Sequence, residues 1–554
     1  MTLALSRPFG VRDDLRARAA YAEGAGIFRV LPALVARPAT VAELRALVRW
    51  AGEAGCSITA RGAGSGMAGG NVGDGLLVDL TALEGAPLAI DAANHRAWCG
   101  AAVTIDQLNA AARSAGLRMP VRPSSGRWAT AGGVVATNAS GAMSYRAGSV
   151  RPWVEGLSVM TGEGDVVALR RGMPAPTGVA AFDRLAAILP DITRAADTIR
   201  EHFPVTRKNS AGYALDAFLA SGDLIDLLIG SEGTLALVTE VTWRLEALPR
   251  HRATVRFLVG SLEQLPRVLD RIDPVDAVAV ELLDRTFLEF VDPAEHSPAE
   301  AILLVDVEGD PSEVLERLDR LEGIGRETGC PTTIARDEAE AERLWAIRHA
   351  ASPRLAQLGD ARRSLQVVED GAVPRHRLGD YIAGLRAITS RHRVPAVIFG
   401  HAGDGHLHVN LIPDVTAEGW QERVRSVYDD TMDLVLQLGG TPSGEHGDGR
   451  LRAGLLARCY GPEILTVFHR IKDAFDPQGI LNPGVILGEG PPPWDHLKVD
   501  PPGTVPTDIE AALRNIERDG TYDPPRLRLA DRDMACCPED SDASLSRSAP
   551  TPPR

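Results

Sequence analysis

The sequence predicts an α+β chain of two to three globular domains, and three observations carry that expectation. Amphipathic helix signals alternate with short β-prone runs, and glycine-rich loops separate several of those runs. At 554 residues and 44% hydrophobic content, the chain has enough apolar material for sizeable cores. The net charge of −15 excludes broad binding to nucleic acid, because no basic stripe is present to meet a phosphate backbone. A small anionic substrate stays compatible with an acidic chain, since a single pocket can be locally positive.

From the N-terminus, PATVAELRALVRWAGEAG at 38–55 reads as a helix. Thr40 and Glu43 form a capping box, Leu44, Leu47 and Val48 share a face, and Gly55 closes the end. A short strand, a glycine-rich loop and the strand LLVDL at 76–80 follow. This order departs from the Rossmann fingerprint, where the glycine loop opens a helix. Through Arg61, Gly62, Ala63, Gly64, Ser65 and Gly66 the backbone N–H groups can approach an anion such as a pyrophosphate. A plain surface turn fits the same residues.

A second segment, PSSGRWATAGGVVATNASG at 123–141, combines small residues, hydroxyls and an amide: Ser124, Ser125, Thr130, Gly132, Gly133, Asn138 and Ser140. These suit a polar cofactor packed against backbone. A third segment, GSEGTLALVTEVTWRL at 230–245, sets Glu232 and Gly233 before an apolar β-prone run that contains Val238.

Further along, HAGDGHLHVN at 401–410 and GEHGDG at 444–449 gather metal ligands beside a free base. His401, His408 and Glu445 supply two imidazoles and a carboxylate, a set for a divalent ion with open coordination positions. His446 is left over to take a proton from a hydroxyl that the ion polarises. His406 reads as a neighbour rather than a ligand.

With the three glycine- and hydroxyl-rich segments in this order, the chain resembles the FAD-binding domain of the vanillyl-alcohol oxidase or p-cresol methylhydroxylase (PCMH) type. The resemblance runs from Tyr21 through Arg29, Pro32 and Pro38 to about residue 245. AVELLDR (279–285), LWAIRHAASP (344–353), VVEDGAVP (367–374), the two histidine motifs and FDPQGILNPG (475–484) extend it to the FAD-linked D-2-hydroxy-acid dehydrogenases. That group includes D-lactate dehydrogenases, glycolate oxidase flavoprotein subunits and D-2-hydroxyglutarate dehydrogenases.

The resemblance implies a PCMH-type FAD-binding domain of two α/β subdomains over 1–248. It implies an α+β substrate domain with an antiparallel sheet over 249–488, whose last segment from about 460 docks back on the FAD domain. Arg348 then corresponds to the arginine that binds the substrate carboxylate, a role its planar fork suits. Asn410 corresponds to a substrate-contacting amide, Asn482 to a residue near the flavin, and the ion to zinc or a similar metal. The pyrophosphate loop carries no attachment histidine, so non-covalent FAD is expected. The chain departs from the group with His406 in place of asparagine and Asp448 in place of an apolar residue.

Residues 489–554 hold twelve prolines and one short helix at 507–517, so the sequence predicts a tail that is largely disordered after that helix and separate from the core. No iron–sulfur cysteine pattern follows, and Cys56, Cys99, Cys330, Cys459, Cys536 and Cys537 lack metal-ligand or disulfide-framework spacing. A reducing cytoplasmic setting is the simplest expectation, with contact at the inner membrane face left open.

The expected reaction is oxidation of a D-2-hydroxy acid, D-lactate-like, to the 2-oxo acid with hydride transfer to FAD. Quinone, cytochrome or a separate iron–sulfur or electron-transfer protein would receive the electrons, and a homodimer is compatible with the sequence. Two other readings use the same residues: a flavin-carrying electron-transfer subunit of a multi-subunit oxidase, and a zinc-dependent hydrolase. The three flavin-type segments count against the hydrolase.

Overall fold

A computed structural model describes residues 7, 8, 10–291, 299–359, 361–489, 492, 494–499, 505–522 and 525–531. Its first sheet is small and parallel, with Leu76–Asp79 between Leu34–Ala36 and Ile58–Arg61. The helix Val41–Ala54 covers it through Leu44, Leu47, Val48 and Ala51. Thr40 accepts the Glu43 N–H, a cap worth about 1 kcal/mol, and Gly55 ends the helix at φ 63°. Glu43 reaches back to the Ala39 N–H instead of that of Thr40, so the expected box closes one residue further out.

The second sheet is antiparallel and five-stranded, in the order Ala89–Asp91, Arg96–Gly100, Leu237–Arg244, Val154–Met160, Val166–Arg170. Its core takes in Trp243, Phe182 and Tyr213, and also Tyr460, Phe468 and Phe475 from the late helix Leu456–Phe475. The chain thus returns to its N-terminal half, and Ile480 and Leu481 enter the core of the parallel sheet.

Between these passages lies a six-stranded antiparallel sheet, in the order Thr332–Ala335, His251–Val259, Ala301–Gly309, Ala279–Asp284, Ala396–His401, His406–Leu411. The strand Ala279–Asp284 is buried along its whole length, charged Glu281 and Asp284 included. A buried charge costs several kcal/mol unless it is paired, so both must find partners.

The tail differs from its sequence expectation in one respect. The helix is present at Thr507–Asp519, with Ile509 and Leu513 buried against Ala19. Around it Leu497 bridges to Phe28, and the short helix Leu527–Ala530 packs on the first helix, Leu15–Ala20. Low average apolar content hid the fact that the apolar face of the expected helix has a partner in the N-terminal helix. Residues 532–554 lie outside the described residues, and so does that part of the disorder expectation. No helix among the described residues is long and apolar enough to cross a membrane.

Candidate active site

A cavity of about 710 Å³ runs between the cofactor loops and the six-stranded sheet, a size within the range of small-molecule and cofactor sites. One end is walled by Arg61–Gly66, Ser124, Ser125, Thr130, Gly132, Gly133, Ser140, Glu232, Gly233 and Val238. The other end holds Arg348, His401, His408, Asn410, Glu445 and His446. Side chains are excluded from the loop by close approach: a Cβ on Gly62 would meet Thr130 Oγ1 at 2.4 Å, and Gly64 takes φ 81°. Arg61 contributes backbone rather than charge, because its buried guanidinium donates to the carbonyls of Glu23 (2.8 Å) and Tyr21 (3.3 Å).

Two of the expected cofactor residues stand behind the wall. Asn138 is buried at φ 51°, at the end of the helix Ala131–Ala136. Asn482 donates to the carbonyls of Gly70 (2.9 Å) and Glu232 (2.8 Å), tying the returning segment to two cofactor loops. Glu232 accepts the N–H of Asp448 at 2.7 Å and of Gly449 at 3.1 Å, so a flavin-type loop and the second histidine motif share one carboxyl. Burial and Asp448 push that carboxyl up to about 8. Burial likewise raises Asp448 to about 7.

Strand pairing assembles the other end. In the edge strand, His406, His408 and Asn410 alternate onto one face, and cross-strand register sets His401 beside His406 and Glu281 beside His401. His408 Nδ1 donates to the Glu369 carbonyl at 3.1 Å, and His401 Nδ1 donates to Glu281. Both Nε2 atoms are thereby free, and each lies 3.4 Å from Glu445 Oε1. His446 Nδ1 donates to Glu369 at 2.5 Å, with Nε2 3.7 Å from the same oxygen. Ligating imidazoles are commonly oriented this way, with the second nitrogen held by a carboxylate or carbonyl. His406 lies in the same cluster as His401, His408 and Glu445, with one nitrogen 2.9 Å from Asp370 and the other 3.4 Å from Lys208.

Arg348 points its guanidinium over Phe399 at 4.3 Å, and its Nε donates to Glu281 at 3.1 Å. Asn410 Oδ1 accepts from Gln366 (3.0 Å) and Ser364 (3.2 Å), while its buried Nδ2 has no partner among the described residues. A buried donor left open costs free energy, and a ligand can recover it.

Four contributors escaped the sequence reading. Glu281 joins Arg348 to His401, and Glu369 orients His446 and binds buried Arg452. Asp370 accepts the N–H groups of Glu445 and His446 and the Ser443 hydroxyl, fixing the 443–446 loop. Lys208 is a buried cation whose Nζ donates to Glu445 Oε2 at 2.7 Å. Glu281, Glu369 and Asp370 lie within the motifs AVELLDR and VVEDGAVP, which gave them no role, and Lys208 left no signal.

Comparison with known proteins agrees with this architecture. Residues 32–170 match the FAD binding domain family and residues 248–486 the C-terminal domain family of FAD linked oxidases. The fold resembles p-cresol methylhydroxylase, with a TM-score of 0.63 over 87% of this chain and 94% of that one, at 13% identity. A D-lactate dehydrogenase of Archaeoglobus fulgidus is 28% identical over 82% of this chain and 91% of its own. A D-2-hydroxyglutarate dehydrogenase of Pantoea ananatis is 29% identical over 90% of this chain, which spans about half (50%) of that protein's length. An uncharacterized FAD-linked oxidoreductase of Mycobacterium tuberculosis is 31% identical over 83% of this chain and 91% of its own. The chain belongs to the FAD-linked oxidoreductases, in the hydroxy-acid dehydrogenase and oxidase group.

Proposed function

We propose that this protein oxidises a D-2-hydroxy acid, D-lactate-like, to the corresponding 2-oxo acid. The observation that carries the reading is the approach of three imidazole Nε2 atoms to one oxygen of Glu445, in the cavity that also holds Arg348 and the cofactor loops. Donor separations of 3.4 Å between His401 or His408 and Glu445 fit a tetrahedral ion such as zinc, whose ligands lie about 2.0–2.2 Å from the metal. The glycine loop, with no histidine between Arg61 and Gly70, fits a non-covalent FAD. When bound, FAD accepts a hydride, and a divalent ion at His401, His408 and Glu445 lowers the pKa of an adjacent alcohol.

The chain's own residues do the rest. Glu281 fixes the Nε of Arg348, which leaves the two Nη groups to clamp a substrate carboxylate. Asn410 Nδ2 is the open donor for a substrate oxygen. His446 Nε2 takes the hydroxyl proton and holds it. Burial works against its protonation, but Glu369 and Asp370 outweigh burial and draw its pKa up to about 10 in the metal-free protein. With an ion held by His401, His408 and Glu445, His446 would shift towards the neutral imidazole that a base requires. In this reading residues 1–248 carry the flavin and 249–488 the substrate, and a separate acceptor reoxidises the flavin.

The test is anaerobic mixing of the yellow protein with a panel of D- and L-2-hydroxy acids. D-acids should bleach the flavin and L-acids should not. Full flavin occupancy with no bleaching by any D-2-hydroxy acid would refute the proposal.

A further inference from the structure

Both family matches end before the tail, at residues 170 and 486, yet the tail lines the cavity. Lys498, Arg514, Glu517, Arg518, Gly520 and Tyr522 all face it. At one end of this segment Arg363, next to the Ser364–Asn410 contact of the substrate end, donates to Glu517 at 2.7 Å. At the other, Tyr522 meets Trp128 of the second cofactor loop edge-on, with ring centroids 6.2 Å apart. The Lys498 backbone N–H donates to the Ile27 carbonyl at 2.9 Å, and Ile27 is itself in the cavity wall. These tail residues therefore line the cavity between its substrate end and the cofactor loops.

Among the tail residues that line the cavity, Lys498, Arg514 and Arg518 outnumber the one carboxylate, Glu517. Three cations share a single carboxylate: Lys498 at 3.0 Å, Arg363 at 2.7 Å and Arg514 all meet Glu517. Behind Tyr522 lies Arg526, 5% exposed, whose Nε has no partner among the described residues. A surplus of partly buried positive charge in a cavity wall favours entry of an anion. The dinucleotide pyrophosphate of FAD is such an anion.

We propose that the tail residues lining the cavity are part of the FAD-binding site, with Lys498, Arg514 and Tyr522 forming a wall that holds the anionic cofactor. This reverses the sequence expectation that the tail is separate from the core. The inference rests on the FAD site and not on the identity of the hydroxy acid, so its test uses no substrate turnover for the primary readout.

Full-length protein stripped of flavin is titrated with FAD at low and high salt, as wild type, Arg514→Gln, Arg514→Lys and Lys498→Met/Arg514→Gln. The double variant should bind FAD at least about tenfold more weakly at low salt, with a flatter salt dependence, and Arg514→Lys should recover most of the affinity. Should the double variant fail to fold, Arg514→Gln alone decides, with an expected loss of about threefold or more. Unchanged FAD affinity overturns the proposal. So does unchanged FAD affinity with a selective rise in KM for a D-2-hydroxy diacid over D-lactate, which would assign the positive charge to the substrate.

Discussion

Lys208 places its ammonium 2.7 Å from Glu445 Oε2, so that Oε1 alone faces the free nitrogens of His401 and His408. Ser140, from the second cofactor loop, donates to the same Oε2. The carboxylate is thus oriented for single-oxygen ligation, and the histidine cluster is mechanically joined to the flavin-type wall. Lys208 and Glu445 are both buried, so the pair stands or falls together.

Lys208→Met should destabilise the metal-free protein by roughly 3–5 kcal/mol, the cost of leaving one partner of a buried ion pair alone. Added zinc should recover part of that loss, because an ion at Oε1 compensates the same carboxylate. Thermal unfolding with and without metal checks this: an equal decrease in both conditions would show that Lys208 acts on the fold and not on the ligand.

Arg348→Ala should raise the substrate requirement steeply while FAD stays bound, since a bidentate charge-assisted contact is worth on the order of 2–4 kcal/mol. Arg348→Lys should recover only part, because an ammonium lacks the planar fork. Flavin reduction followed against substrate concentration gives the answer, and an unchanged concentration dependence would place the carboxylate clamp elsewhere.

Metal affinity should rise with pH. Burial disfavours a charged His401, but Glu281 outweighs it and raises the pKa to about 9 in the metal-free protein, so a proton must leave before ligation. Below that value the affinity should change about tenfold per pH unit, as competition with a chelator would reveal. The stability sign is opposite. His401 and His446, raised to about 9 and about 10, stabilise the metal-free fold fully below the ordinary histidine pKa of about 6.5. That contribution is lost as pH rises through the folded-state values.

Much of this site was legible because its parts are adjacent in sequence. His401, His408 and Asn410 occupy one hairpin, Glu445 and His446 adjoin each other, and period-2 alternation together with a glycine turn at Gly405 (φ 68°) announces their shared face. The supporting charges were not legible. Lys208, Glu281, Glu369 and Asp370 come from three remote segments, and nothing local to them shows that tertiary folding makes them neighbours. The mixed architecture was readable from capped helices and glycine-separated strands, whereas the tail's packing was lost in its average composition. Arg61 was read only for its backbone N–H, and nothing in the loop announced that its guanidinium would be buried against the carbonyls of Tyr21 and Glu23.

The most direct test of the central claim separates the base from the ligands, by metal analysis beside anaerobic single-turnover flavin reduction with a D-2-hydroxy acid. His401→Ala, His408→Ala and Glu445→Ala should each lose bound metal and activity together. His446→Ala should keep metal and FAD yet reduce the flavin at least about 10²-fold more slowly. Full metal content in all three ligand variants, or a normal reduction rate in His446→Ala, would contradict the account.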